Sequence, residues 1–224
     1  MNININKKNK IMSKSKIEWT SETLNVNSGC DQISTGCKNC YAKTMSKRLQ
    51  AMGKEKYKDN FEVRMHPQEL LKPYKWKKPR LVFLNSMSDL FHKEVPLDFI
   101  RKAFKMMNEN PQHTFQILTK RANRLFAIHE ELSWSENIWM GVSVEEKIVE
   151  NRIDLLRKTN AKVKFLSLDT MIGDFLNLNL KNIDWVIVGG ESGHARRPME
   201  LNWMIYNYQQ CEKADVPFFI KRWG

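Results

Sequence analysis

The sequence predicts an α/β protein whose mostly parallel sheet forms a partial (β/α) barrel in a single domain. Short apolar runs recur from residue 80 to the C-terminus, and amphipathic stretches separate them. This alternation of strands and helices is typical of an α/β fold with a parallel sheet. Polar or small residues follow the apolar part of nearly every run, as they do at the functional rim formed by the carboxyl ends of parallel strands.

The N-terminal part of the chain supplies the first βα unit. Residues 23–28 (TLNVNS) predict a strand that leads into a cysteine-containing loop, and residues 39–52 (NCYAKTMSKRLQAM) predict the helix after it. Residues 53–79 break the rhythm and are interpreted as an insertion or lid. Residues 1–16 predict a flexible basic tail, so the barrel domain is expected to span residues 17–224.

Six further strands follow, each short, bulky and nearly continuous in hydrophobicity, which is typical of strands buried on both faces of a parallel sheet. They are predicted at residues 80–87, 114–121, 138–145, 163–170, 185–192 and 217–223. With the first strand they make about seven, which is enough for an open or partly closed barrel.

Apolar residues at helical spacing predict helices at residues 96–110, 145–159 and 201–215. The apolar faces of the first two include Phe99, Ile100, Ala103, Phe104 and Met107, and then Ile148, Ile153, Leu155 and Leu156. Cys211 lies on the apolar face of the third and is expected to be an inert core residue.

The chain is strongly basic, with 37 lysines and arginines against 25 acidic residues and a formal charge of +12. This excess favours a polyanionic partner such as nucleic acid, although many basic proteins bind none. Residues 70–80 mix basic and aromatic side chains as nucleic-acid grooves do, or form a solvated loop. No apolar run approaches the ~20 residues that span a bilayer, so a cytoplasmic protein without membrane contact is expected.

Three of the four cysteines, Cys30, Cys37 and Cys40, lie within eleven positions in the spacing C-x6-C-x2-C. A structural zinc site needs a fourth ligand. The candidates for that ligand are His66, His92 and Cys211. Redox chemistry at the C-x2-C pair would leave Cys30 unexplained. An iron–sulfur cluster on three thiolates would leave one iron open to another ligand.

The segments GCKNCYAK, NSMSDLF and ILTKR resemble those of radical S-adenosylmethionine enzymes of the spore photoproduct lyase-like branch, in which a tyrosine follows the last cluster cysteine. From residue 17 onward the chain is also similar to a phage-type three-cysteine family of uncharacterised proteins. The shared segments are IEWT, GCKNCYA, FLNSMSDLFH, ILTKR, GVSVE, VIVGGESG and PFFIKRWG. The first cysteine gap holds six residues, where radical S-adenosylmethionine enzymes usually have three.

This resemblance implies a [4Fe-4S] cluster on the three cysteines, with S-adenosyl-L-methionine bound at the open iron. An external one-electron reductant would then generate a 5′-deoxyadenosyl radical that acts on a nucleic acid or nucleotide, in repair or modification. The alternative is a zinc-stabilised nucleic-acid-binding module without catalysis. A polar rim built from many strand ends argues against that alternative, since a scaffold needs no such rim.

If S-adenosyl-L-methionine binds across the strand ends, Ser86, Ser88 and Asp89 are candidates for its amine or ribose. Lys120 is a candidate partner for its carboxylate, because a cation at that strand end pairs well with an anion. Ser143 joins the same rim as a cofactor-binding candidate. The alternative for Lys120 is a solvated lysine at the edge of the barrel.

Further candidates follow from the neighbouring segments. Arg121 is assigned to carboxylate or substrate binding, and Glu191 to ribose or substrate. Arg196 and Arg197 are candidates for a substrate phosphate, or are surface residues. The resemblance implies that Tyr41 lies beside the cluster and takes part in hydrogen-atom or electron transfer, and the alternative is a tyrosine packed at the start of a helix.

Overall fold

The computed structural model describes residue 15, residues 17–193 and residues 195–223. Its strands are β1 (Glu22–Leu24), β2 (Asn27–Ser28), β3 (Arg64–Met65), β4 (Leu81–Leu84), β5 (Thr114–Thr119), β6 (Ile138–Ser143), β7 (Val163–Asp169), β8 (Trp185–Gly189) and β9 (Phe218–Arg222). Its helices are α1 (Tyr41–Ala51), α2 (Leu97–Asn108), α3 (Ala122–Ile128), α4 (Asn151–Arg157) and α5 (Leu201–Lys213).

Seven of these strands form one parallel sheet in the order β1-β4-β5-β6-β7-β8-β9. Neighbours in the sheet follow one another along the chain, apart from the short β2–β3 pair, which is antiparallel and separate. Parallel connections are right-handed, so a sheet wound in one direction carries its helices on one face and curves around the other. The result is the predicted partial barrel, open between β1 and β9.

The hydrophobic pattern predicted these elements well from residue 80 onward. Each of the six later strands is present, and the helices predicted at residues 96–110 and 201–215 are α2 and α5. The predicted runs extend past the observed strand ends because the polar residues that follow leave the hydrogen-bonded ladder. The first predicted strand is in fact two, since β1 joins the main sheet and β2 pairs with β3. The N-terminal tail predicted over residues 1–16 lies outside the described residues, apart from residue 15.

The helix predicted at residues 145–159 is wrong at its start, because α4 begins only at Asn151. Ile148, which was expected on its apolar face, is 82% exposed. The backbone of Glu146 is extended. The Glu145 and Glu146 carboxylates accept hydrogen bonds from the loop that carries the cysteines, and a helix starting at residue 145 would turn both away from it.

The larger hydrophobic core lies between the sheet and its helices. Strand residues such as Val82, Ile117 and Leu166 pack there against the apolar faces of the helices. Cys211 of α5 is fully buried in this core, as predicted, and burial raises the pKa of its thiol to about 12. No helix in the described residues is long and apolar enough to cross a bilayer.

Aromatic side chains fill the concave face near the amino ends of the strands. The Trp19 ring lies 4.5 Å from the Phe83 ring on β4 and 6.0 Å from the Trp185 ring on β8. Phe165 and Trp139, on the strands between, also contact Trp185. Trp19 therefore contacts strands on both sides of the half-barrel. The aromatic cluster fills the floor of the concave face.

The segment interpreted as an insertion, residues 53–79, contains β3 and a series of short 3-10 turns. Its basic and aromatic part leads directly into β4 and so lies at the amino ends of the strands. There the Trp76 ring packs 5.3 Å from His113 and 4.8 Å from the Arg80 guanidinium. Trp76 is thus a packing residue and does not present its ring to solvent as a stacking surface.

A substitution at Gly141 of β6 tests how tightly the floor of the concave face is packed. A Cβ atom at this position would lie 2.4 Å from the ring of Phe165, the residue opposite it on β7. We expect Gly141→Ala to force that ring aside and to lower the free energy of unfolding by about 1–3 kcal/mol. Urea denaturation of the purified variant measures this change.

The matched control is Gly173→Ala, whose Cβ would make only an ordinary contact 3.7 Å from Glu146. Its stability should stay within about 0.5 kcal/mol of the wild type. Equal stability of the two variants would contradict the packing described for Phe165.

Candidate functional site

The concave face changes from aromatic to polar along each strand. Side chains two residues apart share a face, so Phe165, Ser167 and Asp169 succeed one another on β7 toward its carboxyl end. At this end lies a cavity of about 200 Å³, here called the cysteine cavity. Its lining includes Cys30, Cys37, Cys40, Tyr41, Asp89, Lys120, Arg121, Ser143, Ser167, Asp169, Glu191 and Lys221.

Two glycines allow the cysteine loop (residues 29–40) to cross this cavity. Gly29 has a positive φ of 80°, and a Cβ there would lie 2.1 Å from the carbonyl oxygen of Glu62. At Gly36 a Cβ would lie 2.7 Å from the Glu145 side chain. Glycine is the residue that permits such a backbone conformation and such close approach. The loop is therefore seated directly on the ends of the strands.

All three loop cysteines are half-buried, are not in disulfides and line the same cavity. Cys30 accepts a hydrogen bond from Arg121, whose Nη1 lies 3.3 Å from the sulfur. The Cys37 sulfur lies 3.6 Å from the Ser34 hydroxyl. Cys40 precedes α1 and packs against a small apolar cluster. Burial and Asp89 raise the pKa of the Cys30 thiol to about 12, although Arg121 opposes this shift.

None of the three candidates for a fourth zinc ligand lines the cysteine cavity. His66 lies 2.9 Å from the Ser28 hydroxyl, and burial lowers its pKa to about 4. His92 faces Asp31, with 3.0 Å between ring nitrogen and carboxylate. Cys211 belongs to the core on the other face of the sheet. Among the described residues, no three cysteine, histidine or acidic side chains stand in a metal-binding arrangement.

Asp89, predicted to bind the cofactor, uses its carboxylate within the protein. It is buried and accepts hydrogen bonds from the Thr119 hydroxyl at 2.8 Å and from the Lys120 backbone N–H at 3.1 Å. The Arg121 guanidinium also donates to it at 3.1 Å. Asp89 thus joins the ends of β4 and β5 and orients Arg121 toward Cys30.

Glu145 is a second buried carboxylate, directly under the cysteine loop. It is fully buried and forms ion pairs with Lys120, at 3.2 Å, and with Arg152, at 2.8 Å. The Ser34 hydroxyl of the loop donates to its other oxygen. Burial acts to raise the pKa of Glu145, but the two cations outweigh burial and hold it below its ordinary value. Lys120 is therefore an ion-pair partner in a half-buried position and not a solvated side chain.

Glu191 holds the far end of the same loop. Its carboxylate accepts hydrogen bonds from Asn39 of the loop at 2.9 Å and from the Arg197 backbone N–H at 2.8 Å. The Arg197 guanidinium donates to both carboxylate oxygens and also to the Thr35 carbonyl. Arg197 therefore braces the loop, whereas Arg196, the other predicted phosphate ligand, is exposed and lines no part of the cysteine cavity.

Tyr41, predicted to be catalytic, is the first residue of α1 and lies at the rim of the cavity. Its hydroxyl donates to the Ser86 carbonyl oxygen. Burial of that hydroxyl, with Cys40 and Asp169 nearby, raises the Tyr41 pKa. Ser86 lines the cavity, as does Ser88, whose hydroxyl is 2.8 Å from the Asn27 carbonyl oxygen that accepts its hydrogen bond.

Ser143 and Ser167 are paired across β6 and β7, and both line the cavity. Beside them, Asp169 forms ion pairs with Lys221 and Arg222 of β9. Asp169, Lys221 and Arg222 were not among the site residues predicted from the sequence. The two-residue periodicity of β7 and β9 was the signal that would have placed Asp169 and Lys221 on the cavity face.

A protein-family model matches residues 14–224, and the chain therefore belongs to that family, which is described as a protein of unknown function (DUF5131). Neither the curated proteins nor the solved structures contain a match. The match covers the whole described structure from residue 15 onward, so the half-barrel and the cysteine loop both fall within the family domain.

The pKa of Glu191 gives a prediction about stability and pH. Burial acts to raise this pKa, but the hydrogen bonds from Arg197 and Asn39 outweigh it and lower the pKa from 4.5 to about 2. A depressed folded-state pKa stabilises the protein above the unfolded value and loses that effect as the pH falls toward the folded one. We expect Glu191→Gln to be less stable at pH 6, by up to about 3 kcal/mol, with the difference vanishing near pH 2.

Urea midpoints of both proteins, measured at intervals from pH 6 to pH 2.5, test this expectation. Other acidic residues titrate in both proteins, so the difference between the two curves isolates Glu191. Curves that run parallel over this range would show that Glu191 is not held in its charged form by these contacts.

Proposed function

We propose that this protein is a radical S-adenosylmethionine enzyme that acts on a nucleic acid or nucleotide. The observation that carries the proposal is the placement of three free thiols in one cavity at the carboxyl ends of a parallel half-barrel, where no further cysteine and no histidine of the described residues lines the cavity. Carboxyl ends of parallel strands are where such folds build active sites. The net charge of +12 supports a polyanionic substrate.

The donor set fits a cluster that takes three protein ligands. Cys30, Cys37 and Cys40 would hold it, and the loop must adjust locally because the thiols do not yet converge. A bound [4Fe-4S] cluster would supply an open iron for S-adenosyl-L-methionine and, after reduction by an external one-electron donor, the cleavage that yields a 5′-deoxyadenosyl radical. Free thiols suit a reducing compartment, and we place the protein in the cytoplasm.

The side chains of this chain bind and orient the reactants. Lys120 lies at the cavity wall, where it can share its ammonium group between Glu145 and a ligand carboxylate. The hydroxyls of Ser143 and Ser167 can hydrogen-bond the polar groups of a bound ligand. Below them Phe83 and Leu118 form an apolar floor that excludes water from a reactive species. Tyr41 lies at the rim, where a substrate would enter.

Reconstitution with iron and sulfide under anaerobic conditions tests the proposal. We expect a brown protein with about four irons per chain. Cys37→Ala should lose this iron, whereas Cys211→Ala, which removes a core thiol, should keep it. The measurements are the visible spectrum and an iron determination.

Addition of dithionite and S-adenosyl-L-methionine to the reconstituted protein should then release 5′-deoxyadenosine, detected by chromatography. A colourless protein that carries one tightly bound zinc, with equal zinc content in the Cys211→Ala variant, would contradict the proposal and favour a zinc-stabilised nucleic-acid-binding module.

A further inference from the structure

A second cavity, of about 380 Å³, lies beside the cysteine cavity between the starts of α3 and α4. We call it the cationic cavity, because five of its lining residues are Lys93, Lys120, Arg121, Arg124 and Arg152. No described residue that lines it carries a carboxylate. Its volume is within the range of small-ligand sites.

The positive charge around this cavity exceeds the negative charge. Four of its five cations contact carboxylates, which belong to Asp31, Asp89 and Glu145 and lie outside the lining. Arg124 is the cation of this group that has no carboxylate partner among the described residues. Its Nη2 donates to the Val95 carbonyl oxygen at 2.6 Å, while its Nη1 is buried without an acceptor.

A guanidinium nitrogen that is buried without an acceptor, as Nη1 of Arg124 is, loses its hydration without a compensating hydrogen bond. Burial also lowers the pKa of Arg124, with Asp89 acting in the opposite direction and Arg121 in the same direction. Two amide side chains, Asn123 and Asn151, are exposed at the cavity and make no hydrogen bond within the described residues. The cavity therefore combines an excess of cations with amide groups that have no acceptor. This combination favours an anion with several oxygen atoms.

We propose that the cationic cavity binds a phosphate group of the substrate that reacts in the cysteine cavity. Phosphate oxygens accept from guanidinium, ammonium and amide donors alike, which is the donor set present here. Nothing in the sequence patterns assigned this role to Arg124, Asn123 or Asn151.

The two cavities share Lys120 and Arg121. A phosphate in the cationic cavity would therefore lie next to the wall of the cysteine cavity, and the adjoining sugar and base would extend toward the thiols. The inference that the bound molecule reacts at the thiols rests on the proposed function. Phosphate binding depends only on the residues of the cationic cavity.

Asn151→Asp tests the assignment by placing a negative charge in the cavity. Asn151 is exposed at the first position of α4, where an acidic side chain stabilises the helix, so the fold should be retained. Asn202→Asp makes the same change in the first turn of α5, at an exposed position that lines neither cavity. The probe is a fluorescent single-stranded DNA oligonucleotide, titrated at several salt concentrations.

We expect Asn151→Asp to weaken oligonucleotide binding about tenfold, as loss of a charge-assisted phosphate contact would. Asn202→Asp should bind like the wild type. Arg124→Gln should also bind more weakly and lower the slope of log affinity against log salt by about one. Thermal melting of each variant shows that it is folded.

Equal oligonucleotide affinities for Asn151→Asp and Asn202→Asp would overturn the proposal. It would also be overturned if Asn151→Asp weakened the binding of inorganic phosphate but not of the oligonucleotide, since the site would then serve a free anion. Repeating the titration with Cys37→Ala separates the two proposals: a phosphate site that persists in a protein unable to hold iron stands whether or not the radical chemistry does.

Discussion

The cysteine loop is held over the mouth of the half-barrel by three buried carboxylates, and the rest of the site depends on this attachment. Asp89, Glu145 and Glu191 follow β4, β6 and β8, so every second strand supplies one. Asp89 acts through Arg121 on Cys30, while the other two bind the loop directly at Ser34 and Asn39. These contacts fix the positions of the thiols relative to the polar strand ends.

Burying three carboxylates is expensive unless each is paired. Every one of them has an arginine partner: Arg121, Arg152 and Arg197 donate to Asp89, Glu145 and Glu191 respectively. Removal of one partner from such a pair typically destabilises a protein by about 3–5 kcal/mol, whereas the intact pair contributes little net stability. These networks therefore determine where the loop lies more than how stable the fold is, which suits a site that must position reactive groups.

The fold was predictable from the sequence because strands and helices are encoded by patterns of neighbouring residues. The site was only partly predictable. Apolar runs and helical periodicity identified the strands, and the polar residues after them identified the rim. The contacts that assemble the site join Ser34 to Glu145, 111 residues away, and Asn39 to Glu191, 152 residues away. No local pattern encodes such pairs. Long-range contacts also explain why the start of α4 was predicted wrongly. Glu145 and Glu146 have the local pattern of a helix start, but they bind the cysteine loop, which is distant in sequence.

The basic residues fall into two groups that the net charge does not distinguish. One group is exposed to solvent at the amino ends of the strands, and the other is half-buried at their carboxyl ends. Arg80 and its lysine-rich neighbourhood lie at the amino ends of the strands, where Trp76 packs inward and the surrounding lysines face solvent. The cations at the carboxyl ends are different, since Lys120 and Arg121 are half-buried and line both cavities. Partly desolvated cations interact more strongly with an anion than solvated ones, because the effective dielectric constant around them is lower. A polyanion drawn to the protein by its overall charge would therefore be bound most tightly at the mouth of the half-barrel, beside the thiols.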